Sequence, residues 1–191
     1  MKILFRKILD YDLKNNKPNA FVYVCQVLSQ KIDPYSLKRK GFTLRNRVIF
    51  CSNLNRAKQC IKKDKNTKLV IIKSLNEIPF NLKLYCDKSG YKKYGSVVVR
   101  KTFKKLFIED NLIISRKKVF KEIKELLIYI KNRYSSEKSV TIVSHSFRLK
   151  CIEAYLKTDG KITKFPKLIK KYIKDNEKTF DFGAGFDFDI F

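Results

Sequence analysis

Short, continuously apolar runs alternate with segments of helical periodicity along this chain. A strand that is apolar at every position is buried on both faces, which is typical of parallel strands covered by helices. The sequence therefore predicts an α/β fold, a three-layer sandwich around a mostly parallel central sheet with four or more parallel strands. The predicted strands are "KILF" at 2–5, "RVIFCS" at 47–52, "KLVIIKSL" at 68–75 and "SVTIVS" at 139–144.

Segments with apolar residues at helical spacing lie between these runs. The strongest spans 115–134, where Lys and Glu separate the apolar positions. Asn53 is predicted to be the N-cap of an earlier helix, and the apolar segment 20–30 fits either a helix or a strand. Further helices are predicted at 53–63, 147–157 and 165–175.

We expect a single domain over residues 1–191, because a chain of this length can bury a substantial core and the sequence has no repeat or low-complexity linker. A basic insertion with some strand character is predicted at about 78–110, and 31–41, with its Pro and Gly, is predicted to be irregular. The segment at about 179–191 alternates Phe and Asp around "GAG", which predicts a C-terminal hairpin. The alternative is an acidic, aromatic tail that folds over a basic pocket or docks on a partner.

The cysteines and the apolar runs indicate a cytoplasmic protein. The five cysteines include no CxxC pair and mostly have apolar neighbours, which predicts reduced thiols in a core. With one His and no paired cysteines, neither a metal site nor a cofactor is predicted. The apolar runs are too short to span a bilayer, so no membrane partner is expected, and charges interrupt the N-terminal run before a signal-peptide core could form.

The net charge of +26 has two interpretations. It fits binding to RNA or another polyanion, since basic residues with interleaved aromatics contact phosphates and stack on bases. It also fits an AT-rich genome that fills permissive surface positions with Lys, because only 9 of the 44 basic residues are Arg. The basic stretch 92–105 is interleaved with Tyr91, Tyr94 and Phe103. Its candidate nucleic-acid contacts are Lys92, Lys93, Arg100, Lys101, Lys104 and Lys105.

Charged and polar residues follow the predicted strands where ligands bind in such sheets, at the carboxyl edge. Arg6 and Lys7 follow the first strand, and Arg56 lies just after the second. Glu77 follows the third strand, and His145, the only histidine, follows the fourth. Arginine forks grip phosphoryl oxygens and a carboxyl group can protonate a leaving alcohol, so these residue types predict a phosphate-ester site.

In this order the motifs resemble those of the histidine phosphatase superfamily, the phosphoglycerate-mutase-like enzymes. "CSNLNRAKQC" is similar to the family's second motif, "SLNEIPF" to its third and "VTIVSHSFRLK" to its late Ser-His-Gly motif. The resemblance implies that Arg6 and Arg56 bind the phosphoryl group and that Glu77 donates a proton. It also implies that His145 stabilises the transferring phosphoryl group.

Three positions depart from the family pattern. Lys7 stands where the family has its nucleophilic His, Ile8 follows where Gly is usual, and Ser146 replaces the Gly of the late motif. A lysine amine is largely protonated near pH 7, unlike an imidazole, so it binds anions better than it attacks phosphorus. We therefore expect a protein that binds a phosphate group or phosphorylated small molecule without the standard phosphohistidine catalysis.

Other interpretations stay open at this point. An active phosphomonoesterase would use the arginines and His145 to stabilise attack by water. A structural or RNA-associated protein would use the fold as a scaffold. Among single residues, His145 could be a hydrogen-bonded core residue, and Glu77 could cap a helix or pair with a lysine. The sequence leaves the oligomeric state open.

Overall fold

The central sheet of the protein has four parallel strands and one antiparallel edge strand, in the order β5-β3-β6-β1-β7. The computed structural model describes residues 1–7, 20–31, 42–174 and 184–189. A second, two-stranded parallel sheet pairs β2 with β4. The mostly parallel α/β sheet predicted from the apolar runs is therefore confirmed. The strands are β1 (Lys2–Lys7), β2 (Phe42–Leu44), β3 (Val48–Ser52), β4 (Ile61–Lys63), β5 (Lys68–Ile72), β6 (Ser139–Ser144) and β7 (Gly185–Asp189).

Helices flank this sheet. The predicted long helix is confirmed as α5, whose N-cap Ser115 accepts a hydrogen bond from the Lys118 backbone N–H at 3.3 Å. The segment 20–30 is a helix rather than a strand. The helices are α1 (Ala20–Leu28), α2 (Asn55–Gln59), α3 (Lys88–Tyr94), α4 (Ser96–Glu109), α5 (Arg116–Tyr134), α6 (Ser146–Lys157) and α7 (Pro166–Ile169). Short 3-10 helices lie at Lys73–Leu75, Leu82–Leu84 and Lys161–Thr163, and a π-helix follows α7 at Lys170–Lys174.

The sheet buries side chains on both faces. Phe5, Phe50 and Ile142 belong to the main core, which includes the apolar faces of α5 and α6. Cys51 and Val143 belong to a smaller cluster on the other face, with α2. All five residues of β3 and most of β6 are buried, as continuous apolar sequence predicts for central parallel strands.

The predicted helix at 53–63 is wrong in length and in its cap. Helix α2 covers only Asn55–Gln59, its N-cap is Leu54, and 61–63 forms strand β4. The Asn53 backbone N–H instead donates to the Asn76 side chain at 3.1 Å. Backbone pairing of β4 with β2 outweighs the local helical preference, which is worth only tenths of a kcal/mol per residue.

The strand character predicted within 78–110 is also wrong. "SVVV" at 96–99 begins helix α4, even though β-branched residues favour strands. Val99 and Leu106 lie on the buried side of α4 and pack with Tyr91 of α3 and with α1 in a separate apolar cluster. Tertiary packing decides the conformation here, because helical spacing places Val99 and Leu106 on one face. That this region is an insertion within a single domain stays a prediction.

The remaining predictions concern the C-terminal part and the cysteines. The helix predicted at 165–175 is present as α7 and the π-helix that follows it, and residue 175 lies outside the described residues. The first arm of the predicted terminal hairpin lies outside the described residues, as does nearly all of 31–41, while 185–189 forms β7 on β1. All five cysteines are free, and only Cys86 is not fully buried. Within the described ranges, no helix is long and apolar enough to cross a membrane.

Candidate functional site

Three strands bring the predicted site residues to one edge of the sheet. Strands β3, β6 and β1 are adjacent and parallel, so their carboxyl ends meet. Lys7 ends β1 directly beside Ser144, which ends β6, and neighbouring strands are about 4.8 Å apart. His145 follows Ser144, and Arg56 lies four residues after the end of β3. These residues therefore lie at or just after the carboxyl edge of the sheet.

His145 lies between β6 and α6 and is fully buried. It occupies the N-cap position of α6, but its side chain makes no capping hydrogen bond. Its Nε2 atom lies 3.0 Å from the Ser52 Oγ atom. Its Nδ1 atom is buried and has no hydrogen-bond partner among the residues that the structure describes. Among the described residues, one ring nitrogen thus has a hydrogen-bond partner and the other has none.

Burial and two arginines keep the His145 ring neutral. Burial is the largest cause that lowers its pKa well below the ordinary value of 6.5, followed by the charges of Arg56 and Arg148. A cation close to an imidazole disfavours the imidazolium form. Near neutral pH, the His145 ring is therefore neutral.

Arg148 is a site residue that the sequence analysis missed. Its Nε atom donates to the Asn76 backbone carbonyl at 2.9 Å, and its Nη1 atom donates to Glu122 of α5 at 3.2 Å. Only 3% of its side-chain surface is exposed. The available signal is its spacing, because a residue three positions after His145 lies on the same side of the first helical turn.

Ser52 and Asn76 were missed as well. The Ser52 Oγ atom lies 2.8 Å from Asn76 Oδ1 and 3.0 Å from His145 Nε2, and it accepts the Leu54 backbone N–H at 3.2 Å. Both side chains are buried. Their signal in the sequence is only their position at the end of a predicted strand and beside Glu77. That position alone does not distinguish them from ordinary polar loop residues.

Glu77 acts as a helix cap in this structure. Its Oε2 atom accepts the Phe147 backbone N–H at 3.1 Å, in the first turn of α6. Its Oε1 atom accepts the Ile78 backbone N–H, also at 3.1 Å. A carboxylate is favourable at a helix N-terminus, where backbone N–H groups otherwise lack partners. The capping interpretation is therefore confirmed, while the role of Glu77 as a proton donor stays a prediction.

Arg6 and Lys7 leave β1 on opposite faces, because successive side chains of a strand alternate. The Arg6 guanidinium donates to Asp187 of β7 at 2.8 Å and to the Phe5 carbonyl at 2.9 Å. A shallow, open cleft lies beside this ion pair. Arg6 is therefore paired with Asp187 in this structure. That Arg6, Lys7, Arg56 and His145 share one phosphate-binding pocket stays a prediction.

A glycine places Asp187 beside Arg6. A Cβ atom on Gly185 would lie 1.7 Å from the Phe5 carbonyl oxygen, so only Gly fits this close approach of β7 to β1. Lys2 also contacts Asp187, at 3.3 Å. Partial burial raises the pKa of Asp187, but the hydrogen bond and charge of Arg6, with those of Lys2, outweigh it and the pKa is lowered.

The candidate nucleic-acid residues lie on α3 and α4. Four of them share one face of α4, opposite the buried Val99 and Leu106, and are exposed or half-buried. Tyr91 is buried and Phe103 packs edge-on against Phe147, which leaves Tyr94 as the exposed aromatic of the predicted three. The α4 residues are Arg100, Lys101, Lys104 and Lys105, and the α3 residues are Lys92 and Lys93.

No group of three or more His, Cys, Asp or Glu side chains that could hold a metal ion occurs in the part of the chain that the structure describes. The arrangement at the carboxyl edge instead offers cationic donors and one neutral imidazole acceptor. Such a site suits an anion that also carries a hydrogen-bond donor.

No protein-family model and no curated protein sequence matches this chain. Several solved structures resemble it. An α-ribazole phosphatase from Shigella flexneri is 15% identical, with a TM-score of 0.49 over 82% of this chain and 79% of its own. A mycobacterial glucosyl-3-phosphoglycerate phosphatase, solved with VO3, is 11% identical, with a TM-score of 0.48 over 86% and 85%.

A phosphoserine phosphatase mutant from Entamoeba histolytica, in complex with phosphoserine, is 16% identical, with a TM-score of 0.45 over 97% and 88%. All three are phosphatases. At these identities and TM-scores, the similarity assigns neither a family nor an activity to this chain. The interpretation of the site therefore rests on its own residues.

Proposed function

We propose that this protein binds the phosphate group of a phosphate ester at the carboxyl edge of its sheet. Arg56, Lys7 and His145 form the centre of the site, and Arg6 joins it when a ligand replaces Asp187. The observation that supports this proposal is that β3, β6 and β1 end side by side, which brings the buried Arg56 and the buried His145 to one edge of the sheet. The charge of Arg56 also helps to lower the pKa of His145.

The residue types fit a phosphate group better than other anions. A guanidinium presents parallel N–H donors to two phosphoryl oxygens, and an ammonium adds a third donor. The neutral imidazole offers an acceptor for a phosphoryl O–H. A fully ionised anion such as sulfate has no proton to donate to that acceptor.

We infer that the protein does not catalyse standard phosphohistidine transfer. Lys7 occupies the position of the superfamily's nucleophilic histidine, and His145 is the only histidine of the chain. A bound phosphate favours the ammonium form of a neighbouring lysine, which has no lone pair with which to attack phosphorus. An active phosphomonoesterase that uses water as its nucleophile is the alternative, with Glu77 released from its cap to protonate the leaving group.

Calorimetric titration with inorganic phosphate tests the binding site. We expect Arg56→Met to weaken phosphate binding about tenfold or more, because a charged hydrogen bond contributes roughly 1.5 to 3 kcal/mol. Arg133→Met is the matched control, since Arg133 is exposed in the last turn of α5, which leads into the amino end of β6. Equal phosphate affinities of the two variants would contradict the site.

Hydrolysis of an aryl phosphate tests whether the protein lacks catalysis because Lys7 replaces the nucleophilic histidine. We expect no turnover by the native protein and measurable turnover by Lys7→His, which restores an imidazole at the end of β1. Turnover by the native protein that Arg56→Met abolishes would instead establish the active phosphomonoesterase.

A second candidate function, binding of RNA or another polyanion, is favoured by the cationic face of α4. Its four basic residues recur at spacings of one and four, so they can contact successive phosphates. Glutamine at Arg100, Lys101, Lys104 and Lys105 should then weaken binding to single-stranded RNA and reduce its salt dependence. Arg56→Met should leave RNA binding unchanged, which separates this function from the phosphate site.

A further inference from the structure

We propose that Ser52 and Asn76 are positioning residues that hold the proton of neutral His145 on Nε2 and leave Nδ1 as the ring atom that accepts a proton donor of the bound phosphate group. The part that concerns the ligand rests on the proposed phosphate site. The part that concerns the tautomer rests on the hydrogen bonds of the protein alone.

The hydrogen bonds begin at the backbone of Asn53. Its N–H donates to the Asn76 side chain at 3.1 Å, which identifies the accepting atom as the amide oxygen Oδ1. An amide oxygen has lone pairs and no proton, so every contact it makes at hydrogen-bond distance requires a donor on the other side. The orientation of the Asn76 amide is thereby fixed.

The Ser52 hydroxyl is the next link. Its Oγ atom lies 2.8 Å from Asn76 Oδ1, and it must donate there, because that oxygen can only accept. A hydroxyl has a single proton, so toward all other neighbours Ser52 accepts. The Leu54 backbone N–H donates to it at 3.2 Å, in agreement with this assignment.

His145 completes the chain of hydrogen bonds. Its Nε2 atom lies 3.0 Å from a Ser52 oxygen whose own proton is already used, so Nε2 must carry a hydrogen and donate. A neutral imidazole has one N–H, and Nδ1 is then an unprotonated acceptor. This atom is buried and meets no donor within the described residues.

Because Nδ1 has a free lone pair, the ligand must supply a hydrogen-bond donor. Arg56 and Arg148 both disfavour a second proton on the ring, so the ring accepts rather than donates. A phosphate monoester near neutral pH retains a proton on part of its population, since its second pKa is about 6. That P–O–H group can donate to Nδ1 while the remaining phosphoryl oxygens accept from the cations, and no bond to phosphorus changes.

The single histidine makes a direct test possible. With 15N-labelled histidine, two-bond 1H–15N correlation spectra report the two ring nitrogens of His145 alone. For the ligand-free native protein we expect a protonated Nε2 and an unprotonated Nδ1. Ser52→Ala removes the acceptor at Nε2, and the single tautomer should be lost. Asn76→Asp keeps an acceptor for the Ser52 hydroxyl, so the single tautomer of His145 should be retained in this variant.

Ser144→Ala is the matched control. Ser144 is a buried serine that ends the neighbouring strand, but its hydroxyl donates to the Leu75 carbonyl at 2.6 Å rather than to the ring. In Ser144→Ala, we expect His145 to have the same tautomer as in the native protein. A protonated Nδ1 in the native protein, or an unchanged tautomer in Ser52→Ala, would overturn the positioning role. The native spectrum and Asn76→Asp decide the matter even if Ser52→Ala does not fold.

Addition of inorganic phosphate separates the two proposals. We expect the Nδ1 signal to move while Nε2 stays protonated, and Ser52→Ala to bind phosphate more weakly. If the native tautomer is as proposed but phosphate moves neither signal, the phosphate site fails and the positioning role stands. If phosphate binds but moves Nε2 instead of Nδ1, the positioning role fails and the phosphate site stands.

Discussion

Two arginines at the carboxyl end of the same sheet hold carboxylates in different ways. Arg148 pairs with Glu122 and has 3% of its side-chain surface exposed, whereas Arg6 pairs with Asp187 and has 23% exposed. Arg148 also donates to the Asn76 backbone carbonyl inside the protein. Arg6 instead lines an open cleft.

This difference in exposure distinguishes an arginine with a structural role from one that can bind a ligand. A buried guanidinium whose donors are used by the protein cannot change partners without leaving a buried charge unpaired. A partly exposed guanidinium with one carboxylate partner can exchange it for a phosphate at little cost, because water compensates for the change. We infer that Arg148 builds the surroundings of His145 and that Arg6 is the arginine able to respond to a ligand.

The largest expected effect is on the free energy of unfolding, when the buried Arg148–Glu122 ion pair is broken. Arg148→Met should lower the free energy of unfolding by about 3 kcal/mol or more, because Glu122 and the Asn76 carbonyl lose their partner. Arg6→Met should cost less than about 1 kcal/mol, since its ion pair is solvated. Urea denaturation of both variants measures the difference. Similar losses of stability would show that exposure does not distinguish the two arginines.

The second prediction concerns His145, which belongs to the buried region. Its pKa is lower in the folded protein than in the unfolded chain, so acidification protonates the unfolded chain first. The stabilisation is fully present above the unfolded pKa of about 6.5. It is lost as the pH falls below that value toward the folded pKa, at up to about 1.4 kcal/mol per pH unit.

His145→Gln removes this titration and provides the reference. Urea denaturation of both proteins across the pH range should show a steeper loss of stability for the native protein below about pH 6.5. Asp187 does not interfere, because its pKa lies below an ordinary value of 3.8 that is already outside this range. Parallel stability curves for the two proteins would mean that the His145 ring is accessible to protons in the folded state.

The two regions also differ in what their sequence predicts. The buried strands could be predicted because continuous apolar runs have few other folded environments, and the position of His145 follows from the strand before it. The hydrogen bonds around it could not be predicted. Ser52 is 24 residues from Asn76 and 93 from His145, and nothing in local periodicity relates residues so far apart.

The predictions that failed have a related cause. Asn53 has the residue type of an N-cap, yet its backbone N–H is used by Asn76. The Val run at 96–99 has strand propensity, yet Val99 packs inside a helical cluster. In each case a distant partner outweighs a local preference of smaller energy.

The smallest expected effect sharpens the comparison at the exposed pair. If Arg6 exchanges Asp187 for a ligand, Asp187→Asn should raise the affinity for inorganic phosphate about twofold, because an exposed ion pair contributes roughly 0.5 kcal/mol. Asp189→Asn is the matched control, since it makes the same change of charge two residues along β7, on the same face and opposite Lys2. Calorimetric titration of both variants separates a loss of competition at Arg6 from a general gain in positive charge. Equal gains in the two variants would mean that only net charge matters and that Arg6 takes no part in the site. A gain confined to Asp187→Asn would mean that β7 supplies an internal competitor for the phosphate, which the buried Arg148–Glu122 pair cannot do.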